Sequence, residues 1–399
     1  MPRADGRGSD RAAHPGHGAL LSACRFALGT ATGDQMALAA SHVADWNDVL
    51  AAAGRHAVLP LLHAALSAAA ASVNPPPPRA ATDELERRFD ANALHSMALA
   101  GHLAELGERF AANGIAFMPI KGPSLAVTAY GDLSLRQFGD LDVVIHRRDL
   151  DRARSMLRHD GYVPVAALPD SLVEVMLGAD YHLALQHEGS GVSLEVHWAL
   201  GRRGLGSLRR EDWAWTNATT VSLLGRSLPA LNTGALIVYL CAHGAKHNWS
   251  TLQHVCDVYA AVRSARDLDW AAVRHLAARA GVSRMLHVGL GLCESLLAAD
   301  LGAHGWTTGN DTVVRALVDD AADRCRAERP LSTGDELRLQ IRTRERFTDR
   351  VLLSLDVLAS PHLTDINAVH LPPGLRAFYH VVRPLRLALK QTRAWRASL

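Results

Sequence analysis

Asp140 and Asp142 stand two apart in the run Gly139-Asp140-Leu141-Asp142-Val143. Extended chain alternates faces with period two, so both carboxylates project from one side and Leu141 and Val143 from the other. Adjacent like charges are costly without positive charge between them. A hard divalent cation, Mg2+ or Mn2+ in its place, supplies that charge through carboxylate oxygens and a substrate's phosphates. Taken alone, the tripeptide describes two solvated aspartates at a strand edge equally well.

Upstream, an apolar run ends at Ile120 and enters Lys121-Gly122-Pro123-Ser124. Proline suits the first turn of a helix and glycine allows close backbone approach, so free N–H groups at Gly122 point outward. Such an end binds phosphate. Lys121 adds a point charge and Ser124 a hydroxyl. Downstream, Ser193-Leu194-Glu195-Val196-His197-Trp198 alternates again, with Ser193, Glu195 and His197 on one face. A third acid, Glu195, on a neighbouring strand completes a two-metal clamp for attacking and leaving oxygens. Arg136 lies four residues before Asp140 and suits bidentate phosphate binding; the competing assignment is an ion pair with Asp132 or Asp140.

His243, Lys246 and His247 share a helix face in HGAKHNWSTLQHVCDV. Lys246 is placed to meet nucleotide phosphates, with Trp249 or a histidine near the base. The histidine spacing also fits zinc, but HGAKH lacks the glutamate of HExxH. Asp257 reads as a buried partner for Lys246 or His247. At the C-terminus, Arg376, Arg383, Arg386, Lys390, Arg393 and Arg396 follow the last acid, Asp365. That basic stretch could hold nucleic acid or a membrane surface, or form a solvated helix face. No P-loop, ordered GxGxxG or GxSxG elbow is present.

The elements that must position these residues follow from pattern. IAFMPI (115–120) and LDVVI (141–145) have strand length and composition. YHLALQHE (181–188) and GVSLEVHW (191–198), split by Gly189-Ser190, read as a hairpin. A long helix is predicted over 83–112, ended by Asn113-Gly114. The Pro-rich segment 72–82 is predicted to admit neither helix nor strand. Helical periodicity resumes after Pro229, near 233–248, 251–265, 268–280, 283–299, 311–327, 333–358 and 375–396. The predicted layout is residues 1–16 disordered, 17–112 helical, 113–228 a mixed α/β core, and 229–399 helical. The fold class is α+β, a small mixed sheet flanked by helical regions.

With 42 basic and 40 acidic residues among 399, net charge is +2, so nucleic acid is not a required partner. Five scattered cysteines without a CxxC pair argue against a disulfide framework or structural zinc and suit a cytoplasmic protein. No apolar run approaches the about 18–20 residues a membrane span needs.

Together, a glycine turn after a strand, Asp-x-Asp on the next strand and a later acid resemble the DNA-polymerase-β-like nucleotidyltransferases. More narrowly, KGPSLAVTAYGDLSLRQFGDLDVVIHRRDLDRARSMLRHDGY is similar to the bacterial uncharacterised nucleotidyltransferase family. Lys121, Gly122, Tyr130, Arg136, Asp140, Asp142, Gly161 and Tyr162 match its pattern, and LEVHW and HGAKHNWSTLQHVCDV also resemble it. Departures are Gly122-Pro123 where the superfamily usually has Gly-Ser, and a long gap from the turn to Asp140. The resemblance implies Mg2+-dependent transfer of a nucleoside monophosphate from an NTP such as ATP to an unidentified acceptor. In it Asp140, Asp142 and Glu195 bind metal, while Lys121, Gly122 and Arg136 hold the triphosphate; Ser124 and Lys246 join the nucleotide-binding set on their own placement in the sequence. A phosphotransferase on the same fold and a non-catalytic nucleotide-binding scaffold are the alternatives.

Overall fold

The computed structural model describes residues 16–166, 173, 177, 178, 180–202, 204–265, 267–361, 363–369 and 371–387. The stretch expected to be disordered, 1–16, lies outside these residues except for Gly16. So do Lys390, Arg393 and Arg396 of the basic C-terminus.

Four helices open the described chain: α1 His17–Ala27, α2 Gly33–Ser41, α3 Trp46–Arg55 and α4 Leu59–Ala68. Helix α5 runs Arg79–Ala112, with Pro78 as its N-cap. The Pro-rich segment thus yields to helix four residues earlier than predicted. Its last proline needs no N–H at a helix start. Asn113 caps the far end.

A five-stranded mixed sheet follows, in the order β1-β2-β5-β4-β3. The strands are β1 Phe117–Pro119, β2 Asp140–Ile145, β3 Tyr162–Pro164, β4 His182–His187 and β5 Ser193–His197. β1 pairs antiparallel with β2, and β2 runs parallel to β5. The predicted hairpin is β4–β5, antiparallel. His187 Nδ1 accepts the Gly189 and Ser190 N–H groups, which shapes its turn.

One sheet face is apolar. Leu141, Val143, Leu194 and Val196 pack there with Leu99, Leu103 and Phe110 of α5 and with Leu150, Ala153 and Leu157 of α7 (Leu150–His159), the next α-helix in the chain after the short α6 (Gly122–Leu125). This fixes register, since a one-residue slip would turn the acids into the apolar layer and the valines onto the polar face. The opposite face carries the acids.

A second hairpin, β6 Ala218–Leu223 and β7 Arg226–Leu231, was not anticipated. Pro229 sits inside β7, opposite Thr220, and helix returns at Thr233, where the periodicity predicts it. In a two-stranded sheet both strands are edges, where a proline's missing donor is tolerated.

The remaining described residues are mostly helical: α8 Thr233–Lys246, α9 Leu252–Ser264, α10 Trp270–Ala280, α11 Ser283–Leu297, α12 Thr312–Ala327, α13 Thr333–Thr343 and α14 Phe347–Ala359. α8, α9 and α11 share a large apolar core with α1, α3 and α4. The expected helix over 333–358 is thus two helices. Near 375 the chain first makes a 3-10 segment, Pro373–Phe378. All five cysteines are buried and free. Among the described residues no helix is long and apolar enough to cross a membrane.

Candidate active site

The parallel β2–β5 pairing makes Asp142 and Glu195 register partners, and Asp140 and Ser193 likewise. Partners in a parallel ladder show their side chains on one face. The end of β1 is tied alongside, where Ile120 donates its N–H to the Asp142 carbonyl at 3.1 Å. Lys121 therefore begins the turn beside Asp142. Asp140, Asp142, Glu195 and Lys121 line a cavity of about 580 Å³, whose further walls include Gln137, Lys246 and His254.

Asp142 is the most enclosed of the acids, its side chain 1% exposed. Lys121 Nζ lies 3.0 Å from Oδ2, and His197 Nε2 lies 3.1 Å from Oδ1. The same Nε2 is 3.2 Å from Glu195 Oε2, so one imidazole bridges two carboxylates. Burial alone would raise the Asp142 carboxyl, but the Lys121 ammonium and the His197 hydrogen bond outweigh it and hold it well below the usual range. His197 moves up: burial opposes this, and the bonds to Asp142 and Glu195 prevail. Glu195 is lowered by its bond to His197. Asp140 differs. Burial and the Asp142 charge raise its carboxyl, with Lys121 opposing.

Asp142, Glu195 and His197 each place a ligand atom within 4.8 Å of the others, while Asp140 lines the same cavity outside that close group. The donor set suits a hard divalent cation. Three carboxylates offer oxygen, and the raised Asp140 carboxyl marks a place short of positive charge.

The turn has the geometry its glycine implies. Gly122 has φ +56°, and a Cβ there would lie 3.5 Å from the Asp140 carbonyl oxygen. Ser124 is buried and donates its hydroxyl to the Lys121 carbonyl at 2.9 Å, so it braces the turn. It is not among the residues lining the cavity.

Arg136 pairs with neither Asp132 nor Asp140. Its Nε and Nη2 each donate at 2.9 Å to the two oxygens of Asp257. Tyr130 adds a 2.8 Å hydroxyl bond to the same carboxylate. Asp257 is therefore the partner of Arg136 and Tyr130, and not of Lys246 or His247. A carboxylate among apolar neighbours on α9 demands a charged partner, and the planar guanidinium fits it in two places.

Lys246 reaches the cavity but donates to the Tyr181 hydroxyl at 2.7 Å. Burial, then the Lys121 charge, lower its ammonium. Trp249 is 2% exposed and packs against Gly244 and Gly289, which removes it from any base-binding role. His243 and His247 are joined by His254, with ring centroids 4.5–5.7 Å apart. Burial holds His254 down at about 3, helped by the Lys121 and Arg136 charges.

Several of these residues escaped the sequence argument. His197 was placed on the acid face but given no partner, although it stands two residues from Glu195. Tyr181 and His254 carried no signal beyond proximity to named segments. In the basic C-terminal stretch, Arg383 and Arg386 are both spent on Asp365, at 3.0 and 2.8 Å.

A sequence model of a family described as uncharacterised nucleotidyltransferase matches residues 42–298, more than half of the chain. No curated protein matches significantly. A crystal structure of an antigenic nucleotidyltransferase-like protein from Paracoccidioides brasiliensis is similar over 52% of this chain and 91% of its own. Its identity is 14% and its TM-score 0.36. That likeness is too loose to carry residues across.

Proposed function

The chain belongs to the uncharacterised nucleotidyltransferase family, and from that premise we propose that it moves a nucleoside monophosphate from an NTP to an acceptor hydroxyl in a Mg2+- or Mn2+-dependent reaction. The acceptor oxygen bonds to the α-phosphorus, the bond from α-phosphorus to the bridging oxygen breaks, and pyrophosphate leaves. The observation that carries this reading is the register pairing of Asp142 with Glu195 beside the Lys121-Gly122 turn.

Asp140, Asp142 and Glu195 would hold the cation. When bound, it supplies Lewis acidity at the α-phosphate and charge for the leaving pyrophosphate. Glu195, with its side chain 33% exposed, is the acid best placed to orient the acceptor and take its proton. Lys121 and the Gly122 backbone would receive phosphate oxygens, with Lys246 lining the same cavity. Ser124 shapes the turn. Arg136, its fork committed to Asp257, lends charge to the wall rather than a two-pronged phosphate grip. The acceptor is a small molecule, a peptide natural product, a protein or a tRNA end.

The test uses NTPs labelled at the α- or the γ-phosphate, with Mg2+ and a host extract as the acceptor source. Stable transfer of α-label supports nucleotidyl transfer. Transfer of γ-label supports a phosphotransferase, and turnover of neither supports a scaffold.

A further inference from the structure

Both oxygens of Asp142 are already engaged by the protein's own cationic or hydrogen-bonding groups, Lys121 Nζ at 3.0 Å and His197 Nε2 at 3.1 Å. An incoming cation must share Oδ2 with an ammonium or displace it. Two positive charges on one enclosed carboxylate repel strongly, because little water screens them. We propose that Lys121 is an internal counter-ion that keeps Asp142 from taking up a divalent cation until a triphosphate draws the ammonium away. Cation and nucleotide then bind as one unit. This rests on the nucleotidyl-transfer reading and adds an order of assembly to it.

The geometry supports such an exchange. Lys121 stands at the mouth of the turn, and its side chain is 14% exposed along the cavity. A flexible four-carbon stem lets the ammonium swing without moving the backbone. Phosphate oxygens offer it a charge-assisted alternative to Asp142. Lys246, the other lysine of the cavity, donates to the Tyr181 hydroxyl, so Lys121 is the lysine in direct contact with Asp142. Linkage makes the coupling reciprocal, so it can be read from either ligand.

The experiment measures Mn2+ uptake by electron paramagnetic resonance on the full chain without nucleotide. Binding of a labelled α,β-methylene NTP is measured by equilibrium dialysis with and without Mn2+, each of the four bases separately. Wild type should bind Mn2+ alone weakly, and its best analogue should bind at least about tenfold tighter with Mn2+. Lys121→Met should bind Mn2+ alone at least about tenfold tighter than wild type, with a smaller gain from the analogue. The tight uptake should vanish in the Lys121→Met/Asp142→Asn double variant, which locates it. Lys121→Gln serves the same comparison if the Met variant melts early. Equal Mn2+ affinity in wild type and both Lys121 variants, with the analogue still bound, overturns this inference alone. No analogue bound under any condition overturns the nucleotidyl reading. In that case tighter Mn2+ uptake by Lys121→Met still upholds the counter-ion.

Discussion

Arg136 and Asp257 form a two-pronged ion pair across 121 residues of sequence, joining the loop before β2 to helix α9. Both are buried, and Tyr130 completes the carboxylate's bonding. Removing one partner strands the other's charge. Asp257→Ala should therefore cost about 3–5 kcal/mol in urea unfolding. Arg136→Lys, which keeps charge but loses the fork, should also destabilise. A cost within about 0.5 kcal/mol of wild type, as at an ordinary surface site, would show that the pair does not join the two segments.

Asp140 and Asp142 share a strand face but not an electrostatic setting. Asp142 is compensated by Lys121 and His197, whereas Asp140 is pushed up by burial and by Asp142. Asp142→Asn should lose turnover and cost about 1–3 kcal/mol, because buried donors lose an anionic acceptor. The two aspartates therefore do not simply repel each other, as the bare Asp-x-Asp pattern implies. Asp140→Asn should lose turnover with little or no loss of stability. Unfolding measurements that rank Asp140→Asn as the more damaging would reverse this assignment.

His254 should make the fold acid-sensitive. Its folded value, about 3, lies below the ordinary imidazole value. A depressed value means the unfolded chain binds the proton first, so this contribution is complete above about 6.5 and is lost as pH falls toward 3. The groups behind the shift are burial, Lys121 and Arg136, with His243 and His247 alongside. His254→Gln should flatten the fall in stability between pH 6.5 and 4 by up to about 1.4 kcal/mol per pH unit. Parallel stability curves for wild type and variant would remove His254 from the acid response.

Gly122→Ala should cost about 1–2 kcal/mol, since φ is +56° there and only glycine adopts it freely. Ser124→Ala removes the bond to the Lys121 carbonyl. It should act on stability rather than on nucleotide affinity. Nucleotide binding that falls with Ser124→Ala at unchanged stability would place the hydroxyl on the phosphate after all.

Alternation alone made the acid face legible. Leu141 and Val143 had to be buried, as did Leu194 and Val196, so Asp142 and Glu195 had to share the other side. The parallel β2–β5 register that sets them opposite each other was not legible, because nothing local encodes which strands pair. The same holds for Lys121 on Asp142 and Lys246 on Tyr181. A lysine's sequence neighbours do not reveal which distant group will face its ammonium. Asp257 came closer. A carboxylate inside Val-Cys-Asp-Val-Tyr announces a buried charge, yet Arg136 emerges as its partner only once α9 packs against the π-helical turn Ala126–Tyr130. The β6–β7 hairpin was masked by Pro229, which reads as a strand breaker unless the strand is known to be an edge.

Pyrophosphate release bears most directly on the central claim that Asp140, Asp142 and Glu195 support metal-dependent nucleotidyl transfer. It is measured against Mg2+ concentration, with NTP and a host extract, for wild type, Asp142→Asn and Glu195→Gln. The wild type should require the cation, and each variant should fall by about a hundredfold or more while keeping its circular dichroism spectrum. Wild-type rates in either folded variant, or release that continues in excess chelator, would contradict the account.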